Sequence, residues 1–185
     1  MTATDYQNQI YNTVIGQGYT DTLAKLIVAQ AQNESANFTS HVFVNTNNPF
    51  GMTYSGQKLA GVSDVNQPTS EAGLAYAAYP DVGVATLDLL AWLNRRQAQG
   101  DFTITCLQTP NEYAQALKCA GYYTAPESQY SKNIAYYFNQ AKDYVITSAS
   151  TNPVATYSVA GAVIVAGISL LWFGVYKIIQ SRKGK

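Results

Sequence analysis

Histidine is almost missing from this 185-residue chain, with His41 its single representative. One imidazole cannot build a His-rich metal site, and neither of the two cysteines, Cys106 and Cys119, belongs to a CxxC pair, so no metal and no cofactor is expected. Charge is also scarce, at 12% of residues and a formal net of zero. Cations are scarcer still in the body of the chain, where 7 Lys and Arg face 11 Asp and Glu before Lys177. Phosphate neutralisation needs a basic face, so nucleic acid is excluded as a partner. The opening MTATDYQNQI has neither a basic region nor an apolar run, and a cleavable signal peptide is therefore not expected.

Long apolar runs are absent until the C-terminal end. There, residues 154–176 carry no charge, and Lys177, Arg182, Lys183 and Lys185 follow. At about 1.5 Å per residue such a stretch reaches across a hydrocarbon core of about 30 Å. The pattern predicts one transmembrane helix over 154–176, a basic tail over 177–185 and a polar linker over 148–153, leaving 1–147 as the folded domain. The positive-inside rule then keeps the tail cytoplasmic. It implies a single-pass protein with a C-terminal anchor in a virion or bacterial inner membrane, its domain outside the cytoplasm, and the lipid bilayer as a partner.

Within the domain, hydrophobic periodicity predicts helices near 5–16, 21–36, 83–98, 110–119 and 127–146. Thr109-Pro110-Asn111-Glu112 reads as a capping box with Pro at the first helical position, and Gly121 marks the end of that helix. Between 50 and 80 the helical period gives way to Gly, Asn, Ser and Thr with weak alternation, which predicts a small β-lobe. Cys106 and Cys119 would close a loop of about 14 residues, worth about 3 kcal/mol if bridged; spacing alone leaves a bridge and two free thiols open. A Cys119/His41 nucleophilic pair is formally available, though a lone His near a loop is usually structural.

One carboxylate is out of place. Leu23, Leu26, Ile27 and Ala31 form the apolar stripe of the second helix, and Glu34 lies seven residues beyond Ile27 on that same stripe. Burial and the negative end of the helix dipole both raise a carboxyl pKa, the condition a general acid requires. The other reading is a Glu that reaches solvent at a fraying helix end.

Four strings in order, AQNESANFTS at 31–40, NNPFGM at 47–52, TSE at 69–71 and GYYTAPESQYSKNI at 121–134, decide between them. Together they resemble glycoside hydrolase family 73, the glucosaminidase-type peptidoglycan hydrolases, and its phage relatives, over about residues 20–140. The resemblance implies a mainly α (α+β) architecture, lysozyme-like with a small β-lobe, to which the transmembrane helix is added. It implies Glu34 as general acid and Glu71 as second carboxylate, with Asp64 in reserve. Asn47, Asn48, Phe50 and Gly51 would shape the groove, and Tyr122 and Tyr130 would line it. Where relatives often carry Gly-Trp after the Glu-Ser pair, this chain has Ala36-Asn37-Phe38, and the Arg expected near Ala77 to Tyr79 is missing.

The resulting expectation is a membrane-anchored, phage-type muralytic enzyme that cuts peptidoglycan glycan strands, with virion proteins as further partners. Hydrolysis by muramidase or glucosaminidase action, or anhydro-forming lytic transglycosylation, would each suit one acid plus a base, nucleophile or substrate group. The alternative is a non-catalytic lysozyme-like structural or wall-binding protein of a virion. The 15 tyrosines suit sugar stacking, although many must serve the core.

Overall fold

The computed structural model describes residues 1–63 and 75–141. The chain divides into two units, Met1–Thr147 and Ser148–Lys185, of which the second lies wholly outside the described residues. Six α-helices are described: α1 (Ala3–Gly16), α2 (Asp21–Glu34), α3 (His41–Thr46), α4 (Val82–Gln99), α5 (Pro110–Cys119) and α6 (Glu127–Gln140). Two short strands, β1 (Gly61–Val62) and β2 (Ala77–Ala78), pair antiparallel with Gly61 opposite Ala78, and Thr53 bridges Tyr76 beside them.

Helix starts follow local chemistry. Thr2 and Asp5 form a reciprocal capping box on α1, while Thr20, Ser40, Asp81 and Thr109 each accept a backbone N–H at the start of α2, α3, α4 and α5. In α5 the Glu112 carboxylate accepts from the Gln108 N–H and the Thr109 hydroxyl, so the box closes one residue further back than the usual pattern. α2 is the central element. It packs against α1 and α6, and every residue from Leu26 to Gln32 is buried, the two glutamines included.

The sequence reading of the helices needs three adjustments. α3 escaped it, because six residues are too few to show a period. α2 stops at Glu34 rather than 36, because Ala36, Asn37 and Phe38 adopt φ of 49°, 55° and 65° and no α-helix continues through left-handed backbone. α6 is described to Gln140, and 142–146 lie outside the described residues.

The left-handed run is held from both sides. Ser35 Oγ donates to the Ala31 carbonyl at 2.6 Å and accepts from the Phe38 N–H at 2.8 Å, and the Gln32 amide donates to Asn37 Oδ1 at 3.1 Å. Phe38 itself is buried against Tyr6 and Phe43, at centroid distances of 5.5 and 5.4 Å. A non-glycine residue in this region carries about 1–2 kcal/mol of strain, partly offset for glycine by chain entropy. Ala36→Gly is therefore expected to stabilise the fold by about 0.5–1 kcal/mol in urea unfolding; a loss of stability would show that Ala36 is not strained.

The membrane expectation is corrected. Among the described residues no helix is long and apolar enough to cross a membrane. α4 is the longest at 18 residues and carries Asp88, Arg95 and Arg96, whereas a span takes about 20 apolar residues. The stretch 154–176, read as a transmembrane helix, and the linker and tail around it lie outside the described residues. Among the described residues the fold is mainly helical with a small antiparallel β element and no transmembrane helix. With the anchor go the single-pass localisation in a virion or inner membrane, and the bilayer and virion proteins as partners.

Candidate active site

Glu34 is the last residue of α2, and its carboxylate opens onto a cleft of about 250 Å³. Phe50, Gly51 and Met52 form one wall, Trp92, Arg95 and Arg96 of α4 another, and Gly121, Tyr122 and Tyr123 a third. Burial raises the Glu34 pKa above its ordinary value, only partly opposed by hydrogen bonds from Tyr130 and Asn33. The Tyr130 hydroxyl donates to Glu34 Oε1 at 2.7 Å. Gly51 faces Oε2 with φ of +63°, and a Cβ there would stand 4.0 Å from it.

Tyrosines surround the acid. Tyr130 stacks on Tyr123 with centroids 3.8 Å apart and planes 10° apart. Tyr122 donates to the Phe50 carbonyl at 2.6 Å, and Tyr113 donates to Gln30 Oε1 at 2.5 Å, one helical turn before Glu34. Burial first, and the Glu34 charge second, push the Tyr113, Tyr122 and Tyr130 phenols upward, so all three stay protonated as donors. Ahead of α6 the chain turns at Pro126, which provides no side-chain cap; Lys118 Nζ holds that turn by donating to the Thr124 and Ala125 carbonyls at 2.7 and 2.8 Å.

The expected site residues fall into distinct places. Glu34, Phe50, Gly51 and Tyr122 line the cleft, and Tyr130 touches Glu34 from behind. Asn47 and Asn48 direct their amides to backbone instead. Asn47, itself left-handed at φ 50°, donates to the Tyr79 and Pro80 carbonyls. The buried Asn48 donates to Met52 and Ala77 carbonyls at 2.8 and 2.9 Å and accepts from the Phe50 and Met52 N–H groups. Their bonds fix the backbone of the loop that carries Gly51. Glu71 and Asp64 lie outside the described residues. Cys106 and Cys119 are free, exposed thiols, and neither they nor His41 line the cleft.

Sequence reasoning passed over Gln30, Tyr113, Trp92 and Arg95. Trp92, Arg95 and Arg96 at i, i+3 and i+4 were a legible signal, a ring and two cations on one helix face. A second buried acid, Asp88, sits behind the site and accepts from the Tyr79 hydroxyl at 2.7 Å; burial raises its pKa against the opposing effects of Tyr79 and Arg95. Among the described residues no group of His, Cys, Asp and Glu could hold a metal ion.

No protein with a curated description matches the chain significantly. Among solved structures, a chain in the structure of a type VI secretion system effector-immunity complex from Pseudomonas protegens is similar, at a TM-score of 0.54 and 14% identity over 75% of this chain and 89% of that one. At that identity the likeness is one of fold. The glucosaminidase family, described as mannosyl-glycoprotein endo-beta-N-acetylglucosaminidase, matches residues 16–143, which include α2, the cleft and α6. The chain belongs to the glucosaminidase family and is a glycosidase of the peptidoglycan-hydrolase kind.

Proposed function

We propose that the protein cleaves the glycan strands of peptidoglycan, with Glu34 as the general acid that protonates the leaving oxygen. The observation that carries the proposal is a half-buried carboxyl with a raised pKa in the lining of an open cleft, with one oxygen held by a tyrosine. A carboxylic acid kept protonated towards neutral pH can deliver its proton as the glycosidic bond lengthens. The carboxylate left behind is then stabilised by the Tyr130 hydroxyl and Asn33.

Glycosidases also need a group for the oxocarbenium-like centre. Glu34 is the one carboxylate among the described residues that line the cleft. Glu71, which the family pattern suggests, would supply a base for water and an inverted reducing end. The substrate's acetamido or 6-hydroxyl group would act in its stead otherwise, the latter giving a 1,6-anhydro end. Asn47, Asn48, Phe50, Gly51, Tyr122 and Tyr130 serve in this reading to shape the groove and hold the acid and the sugar. Digesting purified peptidoglycan with the full chain and analysing the fragments by mass spectrometry tests the proposal: new glycan ends are expected, and intact strands after prolonged incubation would refute it.

Tyr130 gives a second test with a definite sign. Its hydrogen bond lowers the Glu34 pKa, so Tyr130→Phe raises that pKa further and moves the alkaline limb of kcat/KM to higher pH. The plateau rate is expected to drop about tenfold as the carboxyl loses its orientation. An unmoved limb would mean that Tyr130 does not touch the working acid.

A further inference from the structure

α4 brings Trp92, Arg95 and Arg96 to one face, at i, i+3 and i+4, and all three line the same cleft as Glu34. Arg96 is committed elsewhere, with its guanidinium 3.4 Å from Asp101 and 5.3 Å above the Trp92 ring. Arg95 is exposed and has no hydrogen bond or ion pair to any described residue; its charge acts through space on the buried Asp88. It lines the same cleft as Glu34. The cleft therefore holds both a carboxyl and an arginine that has no hydrogen-bond or ion-pair partner among the described residues. In the same lining, the edge-to-face pair of Trp92 and Tyr122, with centroids 5.1 Å apart, offers aromatic surface for a pyranose.

A neutral sugar polymer leaves the Arg95 fork unmatched, whereas a carboxylate fits its planar donors two at a time. We propose that Arg95 makes the cleft selective for glycans carrying a free carboxylate, such as the peptide stems or lactyl groups of wall polymers, over neutral N-acetylglucosamine chains. This rests on the reading of Glu34 as proton donor and names the substrate class of the same cleft.

The test separates the two. Calorimetry on full-length Glu34→Gln would compare a soluble disaccharide-peptide having free carboxylates with the same compound converted to primary amides, and with a neutral chitooligosaccharide. The carboxylate form is expected to bind about tenfold tighter than the amide, equivalent to about 1.4 kcal/mol. Adding Arg95→Gln should bring the ratio within about twofold, Arg95→Lys should keep part of it, and salt should shrink it as expected of an exposed charge. Equal affinity for acid and amide, a preference that survives Arg95→Gln, tighter binding of the neutral oligosaccharide, or no binding of any of the three overturns the inference. If instead the preference holds and depends on Arg95 while the wild-type chain releases no fragments, the cleavage reading falls and the Arg95 assignment stands.

Discussion

Glu34→Gln is expected to lower glycan cleavage by more than about 10²-fold, because the amide keeps the shape and the Tyr130 contact but has no acid proton to give. Stability should move the other way. The folded-state pKa of Glu34 is raised from 4.5, so the unfolded chain loses its proton first as pH rises. The contribution of Glu34 to stability is thus highest below pH 4.5, declines as pH climbs through the folded pKa, and stays low beyond it. Glutamine does not ionise, so the variant should melt at or above the wild-type temperature near neutrality and together with it in acid. Thermal scans at pH 4 and 8 alongside fragment release check both halves. Near-normal turnover would sink the assignment of the acid, and a lower melting temperature at pH 8 would contradict the burial argument.

Asn48→Asp should be the most damaging single change to the fold. The Asn48 amide satisfies two buried carbonyls and two N–H groups, tying Met52 and Phe50 to the β2 residue Ala77. A carboxylate would face the Met52 and Ala77 carbonyls with no donor unless protonated, and either outcome has a large free-energy cost, about 3–5 kcal/mol. Asn48→Ala, which only removes the bonds, should cost about 2–3 kcal/mol. Both would release the loop carrying Gly51 and the Phe50 carbonyl that receives Tyr122. Chemical denaturation ranks the pair; a loss under about 1 kcal/mol for Asp would show that the loop holds its shape without this side chain.

Local signals survived into the structure where one residue decides one backbone event. Thr109 with Pro110 starts α5, and Gly121, at φ +72°, ends it. Glu34 was legible because its apolar neighbours made it an exception to their own period. What escaped was tertiary. Gln30 looks like an ordinary helical glutamine until Tyr113, 83 residues away, is packed on it. Asn47 and Asn48 were expected at the groove, and their amides bond to backbone; no periodicity says whether an amide faces sugar or backbone. Arg95 was read only as part of a charge count, since its place in the cleft depends on how α4 lies against loops far off in sequence. The membrane span was inferred from length and apolarity alone, and the described helices supply none.

The bond between Glu34 and Tyr130 joins residues 96 positions apart, from α2 to the start of α6. Before α6 docks, Glu34 lies at a helix end open to water, ionised at neutral pH like any solvated glutamate. With Glu34 as the proposed acid, the chemistry would have a folding order built into it: activity would wait for α6 even with the other five helices in place. The same holds in reverse during warming. Tyr130 lies in the first turn of a helix whose N-cap is Pro126, so fraying of that turn separates donor from acid while the core around α2 persists. Inactivation should then precede global unfolding on heating, and amide exchange at residues 127–131 should be the earliest protection to fade.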